Sequence, residues 1–190
     1  MKTKRGDCCG NRQARRVPIW AYVVVNVLAL LLRTRIAGKD HPGLIKERLR
    51  PGPGARDGFW CTMALFLPPW IGHYILAALD RGRWHWSDSV PFRAQVVGLA
   101  GYTATFGLIS WAVAANPFFS SVARIQRERG HYLVTAGPYR YVRHPGYVGG
   151  IALLLFSGLS LNSWLSLLPG VGWIPLIIRR TIIEDKLLEE

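Results

Sequence analysis

The apolar residues of this chain come in blocks, and that constrains its fold more than any other feature. Half of the 190 residues are hydrophobic. Dispersed, they would build one large soluble core. They gather instead into residues 17–32, 59–79, 95–115, 147–161 and 164–178, with the charges set between. A helix needs about 20 apolar residues to cross a bilayer. In hydrocarbon, every backbone N–H and C=O must be satisfied within the segment, so such blocks become helices. Composition agrees: 18% of residues are charged, against roughly 25% in a soluble domain. The sequence therefore predicts an all-α, multi-pass transmembrane helical bundle of about five helices. The last two, split by Asn162–Ser163, form a C-terminal helical hairpin whose arms are short and therefore tilted or covered by protein.

Three regions follow from the pattern. Residues 1–16 are a basic tail with almost nothing apolar, expected to be disordered. Residues 17–115 carry the N-terminal transmembrane helices and loops. Residues 116–190 hold the polar stretch 116–146, the hairpin and a charged end at 179–190. Within 33–58, a Pro/Gly-rich connection, residues 42–49 suit a short interfacial helix. Pro68 and Pro69 remove backbone donors in the middle of the second block and should kink it. Gly98, Gly101, Ala104 and Gly107 recur at three-residue spacing. They allow close helix contact, or are ordinary membrane-helix composition. No strand-turn-helix with a glycine fingerprint is present, which excludes a Rossmann-type enzyme.

The net charge is +13. Such an excess suits nucleic acid or anionic lipid headgroups. Because the charges sit between apolar blocks, the membrane reading is taken, with membrane lipids as partners and no nucleic acid. If all five helices cross, fifteen of the 24 Lys and Arg lie on the side of 33–58, 116–146 and the C-terminus. The positive-inside rule places that side in the cytoplasm; the basic N-terminal tail opposes it. The cysteines, Cys8, Cys9 and Cys61, make no metal-ligand pattern with histidine, so no metal is expected. The Cys8–Cys9 pair fits an inert tail or a palmitoylation site.

Residues 126–149, QRERGHYLVTAGPYRYVRHPGYVG, carry the densest polar chemistry. The plain alternative is a basic interfacial loop anchored by tyrosines. In Arg143-His144-Pro145, the residue before proline is driven out of helical geometry, and Pro145 suits the first turn of the next helix. His144 therefore stands at a helix entrance, where N–H groups and the dipole attract anions. Gly146 and Gly149 leave that entrance open. Arg180 and Glu184, four residues apart, form an ordinary helix-end ion pair if read alone.

The run HYLVTAGPYRYVRHPGYVGG closely resembles the isoprenylcysteine carboxyl methyltransferase family, in a superfamily with phospholipid methyltransferases. A second signature follows the hairpin. Arg180, Glu184, Asp185 and Leu188 are similar to the family's Arg-x-x-x-Glu-Glu-x-x-Leu, with Asp185 in place of the second Glu. ERLRPGPGARDGFW and NPFFSSVARIQ also look like bacterial members, so the likeness covers about residues 40–190. It implies S-adenosyl-L-methionine as cofactor, in a cytoplasmic-side pocket lined by Gln126, His131, Tyr132, Leu133, Val134, Tyr139, His144, Pro145, Gly146, Tyr147 and Glu184. It implies catalytic roles for Arg180, facing the substrate, and His144. The acceptor would be the carboxylate of a lipophilic small molecule or prenylated substrate. That carboxylate is already ionised near pH 7, so no general base is needed. The setting would be a bacterial inner membrane, or the endoplasmic reticulum in a eukaryote, with the active site facing the cytoplasm. Family members usually continue with a Tyr-containing tail that helps close the site; a form ending at Glu190 is expected to lack that lid. The alternatives are a phospholipid N-methyltransferase, a small-thiol methyltransferase and a non-catalytic membrane scaffold.

Overall fold

The computed structural model describes residues 19–49, 59–120, 122 and 124–189. The basic tail and its Cys8–Cys9 pair lie outside them. Six α-helices run along the described chain: α1 (Ile19–Asp40), α2 (Leu44–Leu49), α3 (Phe59–Leu79), α4 (Phe92–Ala115), α5 (Pro145–Ser160) and α6 (Leu167–Glu189). A π-helical turn, Asp80–Trp84, extends α3, and single 3-10 turns stand at Arg127–Arg129 and Gly137–Arg140. Among the described residues, three helices are long and apolar enough to cross a membrane: Ile19–Asp40, Thr62–Trp84 and Phe92–Ala115. α5, at 16 residues, is a shorter apolar helix. α1 leaves Val23, Val24, Val27, Leu28, Leu31 and Leu32 about half exposed, as a lipid-facing helix does.

The expected interfacial helix is present as α2. The charged end at 179–190 is helical as far as Glu189. α6 continues without a break through Arg180 and Glu184 to Glu189. No helix-ending signal follows Ile178, and Arg, Ile, Glu, Lys and Leu are all good helix formers. Apolarity stops at Ile178, but the helix does not.

α5 packs chiefly on α4, and α6 on both α3 and α5. α4 and α5 meet through glycine. A Cβ on Gly98 would come within 2.5 Å of the Ser160 backbone nitrogen, and one on Gly101 within 2.5 Å of the Phe156 ring. Gly107, at the same spacing, meets nothing within 4 Å. Only part of the repeat is therefore a contact face.

The helices alternate in direction, so the bundle has two polar ends. At one, the buried Asp80 carboxylate accepts hydrogen bonds from the Ser87 hydroxyl and from Ser163 Oγ at 2.5 Å, tying the end of α3 to the α5–α6 turn. Gln95 Nε2 donates to Asn162 Oδ1 at 3.1 Å beside it. Further in, His73 Nδ1 donates to the Ser166 carbonyl (2.8 Å) and Nε2 accepts from Ser157 (2.7 Å). Each pairing satisfies a polar group that would otherwise be stranded in a low dielectric. The opposite end gathers α2, the entrance of α5, the last turns of α6 and the loop between α4 and α5.

Candidate functional site

Pro145 opens α5 with His144 as its N-cap residue, held outside helical geometry at φ −122° and ψ 65°. This is the conformation that the His-Pro step demands. One turn on, Tyr147 faces α6. There, Arg180 and Glu184 share a face because they are four residues apart. Arg180 is 4% exposed. Its Nε donates to the Tyr147 hydroxyl at 2.7 Å and to Glu184 Oε1 at 3.0 Å, and the Tyr147 hydroxyl donates to the same Oε1. His144 Nε2 lies 2.8 Å from Asp185 Oδ1, and Nδ1 lies 3.6 Å from Glu184 Oε2. The His144 and Tyr147 rings stack at 5.7 Å. Two sequence stretches over thirty residues apart thus form one cluster of an imidazole, a phenol, a guanidinium and two carboxylates.

α3 closes the cluster. Arg180 reaches Thr62 Oγ1 at 3.4 Å and lies over the Phe66 ring at 5.3 Å. Neither residue belongs to any motif. Helical period places them on one face of α3, but nothing in a single sequence says that this face meets α6.

The 116–142 segment is organised separately. Phe118 is its hub: His131 stacks on it at 4.5 Å, Tyr132 meets it edge-on at 5.1 Å and Arg129 lies over it at 5.7 Å. Gln126 is fully buried, its Nε2 donating to the Phe118 carbonyl at 2.9 Å and its Oε1 accepting from Arg129 at 2.5 Å. His131 Nδ1 accepts the Gln126 N–H at 3.0 Å. Gln126 and His131 therefore hold the loop's shape. Tyr132 and Leu133 are exposed, and Val134 is half-buried. Tyr139 belongs with the main cluster: Asn116 donates to its hydroxyl at 3.1 Å, and burial with the nearby Glu184 carboxylate raises its pKa. Gly146 packs on Phe119, whose ring a Cβ would meet at 2.8 Å.

A buried ion pair fastens this loop to α2. Arg124 donates through Nε and Nη2 to the two oxygens of Glu47 at 2.7 and 2.9 Å, and also to Glu128 at 2.5 Å. These bonds, Glu47 first, hold the guanidinium in its charged form, and Arg124 in turn lowers the Glu128 carboxyl. His131 is lowered, first by burial and then by Arg124 and Arg129.

Of the residues singled out in the sequence, His144, Pro145, Gly146, Tyr147, Tyr139, Arg180 and Glu184 are brought together where the start of α5 meets the last turns of α6. Gln126, His131 and Tyr132 gather around Phe118. Asp185, noticed as a departure from a motif, is the direct partner of His144.

Residues 101–189 match the Isoprenylcysteine carboxyl methyltransferase (ICMT) family. The chain is also similar to a Protein-S-isoprenylcysteine O-methyltransferase of Schizosaccharomyces pombe, 41% identical over 56 residues. That match covers 30% of this chain and 24% of the relative, so it spans about a quarter of the relative's length.

Proposed function

We propose that this chain, whose residues 101–189 match the isoprenylcysteine carboxyl methyltransferase family, is an S-adenosylmethionine-dependent membrane methyltransferase acting on the carboxylate of a lipophilic, isoprenylcysteine-like acceptor. The observation that carries the reading is the buried Arg180, set where the entrance of α5 meets α6 and bordered by apolar α3. A guanidinium in that position suits a carboxylate whose remainder is apolar. It suits the ammonium of an aminophospholipid poorly, which disfavours the N-methyltransferase alternative.

The chemistry of the cluster fits the cofactor. Glu184 and Asp185 offer carboxylates to an ammonium or a ribose diol, Tyr139 and Tyr147 offer ring faces to adenine, and His144 stands at the helix entrance for a carboxylate. When bound, S-adenosylmethionine supplies an electrophilic methyl group on a sulfonium. The chain's own contribution is positioning. Arg180 orients the acceptor carboxylate, Tyr147 and Glu184 hold Arg180, and Phe66 and Thr62 keep water from it. We place the catalytic region in residues 116–190, completed by α3, with the site facing the cytoplasm.

The test is methyl transfer from labelled S-adenosylmethionine by detergent-purified protein, with a prenylcysteine offered beside phosphatidylethanolamine. Prenylcysteine is expected to be methylated, and Arg180→Lys to reduce the rate at least about 100-fold by losing the planar fork. Cofactor affinity should stay within about threefold, as expected if the guanidinium acts on the acceptor. Methylation of the phospholipid alone would reverse the assignment of acceptor.

A further inference from the structure

α1 and α2 meet at the same end of the bundle as the candidate site. Arg33 lies two turns before the end of α1, half-buried, with its guanidinium over the Phe106 ring of α4 at 5.0 Å. From that depth a long side chain reaches the headgroup layer. Arg48, in the last turn of α2, lies over the Phe119 ring at 5.4 Å. Arg48 is open at the surface, yet enough protein surrounds it to lower its pKa by desolvation, and the Arg33 charge beside it lowers it further. Two guanidiniums are thus held close together, each on an aromatic face. A ring face attracts a cation but does not neutralise it.

α2 has two unlike sides. Leu44 and Glu47 are buried, while Ile45 and Leu49, four residues apart, are 44% and 70% exposed. With Gly43 and Lys46 they line an open, apolar groove of about 550 Å³. The helix therefore presents an apolar strip flanked by cations, as a helix lying in a membrane surface does. This combination selects its ligand. A phosphate takes paired, charge-assisted bonds from guanidinium groups, and an acyl chain covers the strip. A choline or ethanolamine headgroup brings an ammonium toward the two arginines and is disfavoured.

The inner side of the corner leads to the candidate site. The Phe119 ring beneath Arg48 packs on Gly146, where a Cβ would meet its Cζ at 2.8 Å. Gly146 lies in the first turn of α5, two residues after His144. Glu47, next to Arg48 in α2, holds the following loop through Arg124 at 2.7 Å. His41, just before α2, donates to the Ala114 carbonyl at 2.9 Å. Whatever fixes α2 therefore also fixes Phe119 and the loop that leads to His144.

We propose that the α1–α2 corner binds the phosphate of an anionic membrane lipid between Arg33 and Arg48, with an acyl chain along Ile45 and Leu49, and that the bound lipid raises the methyl-transfer rate by holding Phe119 against the entrance of α5. The lipid is a regulator and is not consumed. Its site stands on its own geometry, whereas its effect on rate rests on the function proposed above.

The probe is phosphatidylglycerol, which has neither an amine nor a carboxylate to accept a methyl group. Native mass spectrometry of the detergent-purified protein reads its binding. Methyl transfer to prenylcysteine is measured in nanodiscs of phosphatidylcholine, with and without phosphatidylglycerol. Wild type is expected to bind phosphatidylglycerol about tenfold more tightly than the double variant Arg33→Gln/Arg48→Gln. It should also work about fivefold faster when that lipid is present, whereas the double variant works equally fast in both nanodiscs. The two single variants serve the same comparison if the double variant does not fold. Equal binding by wild type and variant overturns the site. Equal acceleration of both, or of neither, overturns the coupling. Activation by glycerol phosphate, which has the charge without the chains, assigns the corner to a soluble anion and overturns the lipid. If wild type methylates prenylcysteine in neither nanodisc, the proposed function fails by itself. Lipid adducts then decide the site, and amide hydrogen exchange over residues 124–147 decides the coupling. Slowing by phosphatidylglycerol in the wild type alone sustains it, and no slowing overturns it.

Discussion

His131 stacks on Phe118 and accepts the Gln126 N–H at Nδ1, and that hydrogen bond needs the neutral ring. Burial and the two neighbouring arginines lower its pKa below the usual value near 6.5. The unfolded chain therefore takes up the proton more readily than the folded one, and stability rises with pH through this window. As pH falls below about 6.5, the fold loses that increment progressively until the folded-state pKa is passed. The melting temperature should drop as the pH is taken below about 6.5. The variant His131→Phe keeps the stack without the titration, so its drop should be smaller. Equal pH slopes in the two proteins would show that the loop does not sense this proton.

Helix packing rests on glycine at some positions and is indifferent to it at others. A methyl at Gly98 meets backbone of α5, which cannot move aside as a side chain end could. Gly98→Ala is expected to destabilise by about 1–3 kcal/mol through overpacking. Gly107 opens on empty space. Gly107→Ala should be neutral or stabilising by up to about 1 kcal/mol, since alanine is the better helix former. Thermal unfolding in one detergent compares the two, and similar effects would show that α4 and α5 do not meet as described. The polar latches act at the same scale. Asp80 joins the end of α3 to the α5–α6 turn, and Glu47 with Arg124 joins α2 to the loop after α4. One sets the register of α6, and the other carries the loop that leads to His144.

For the whole molecule, the alternating helices put the candidate site and the Asp80 latch at opposite ends. That separation makes orientation measurable. Leu133, 70% exposed, lies in the loop at the site's end, and Trp86, 68% exposed, lies just after α3 at the other. Single cysteines at these positions, in a chain whose own three cysteines are replaced, should react with an impermeant thiol reagent from opposite faces of the membrane. Leu133→Cys is expected to react from the cytoplasmic face, as the balance of Lys and Arg requires. Labelling of both from one face would contradict the bundle; labelling with the faces exchanged would invert the assigned orientation.

Much of this architecture was legible in the chain itself. Blocks of apolar residues determine helices wherever backbone groups must be satisfied internally, so the helical class, the hairpin at Asn162–Ser163 and the short helix before Leu49 follow from pattern alone. The His144-Pro145 step and the four-residue spacing of Arg180 and Glu184 likewise act through local geometry. Other features required the tertiary structure, because they join residues with no local relation. These are the faces of α3 and α6 that meet, the use of Gln126 and His131 to fasten a loop around Phe118, and the partnership of His144 with Asp185. The extension of α6 past Ile178 also escaped the pattern: apolarity marks where a helix is covered, whereas helicity continues as long as the residues permit it.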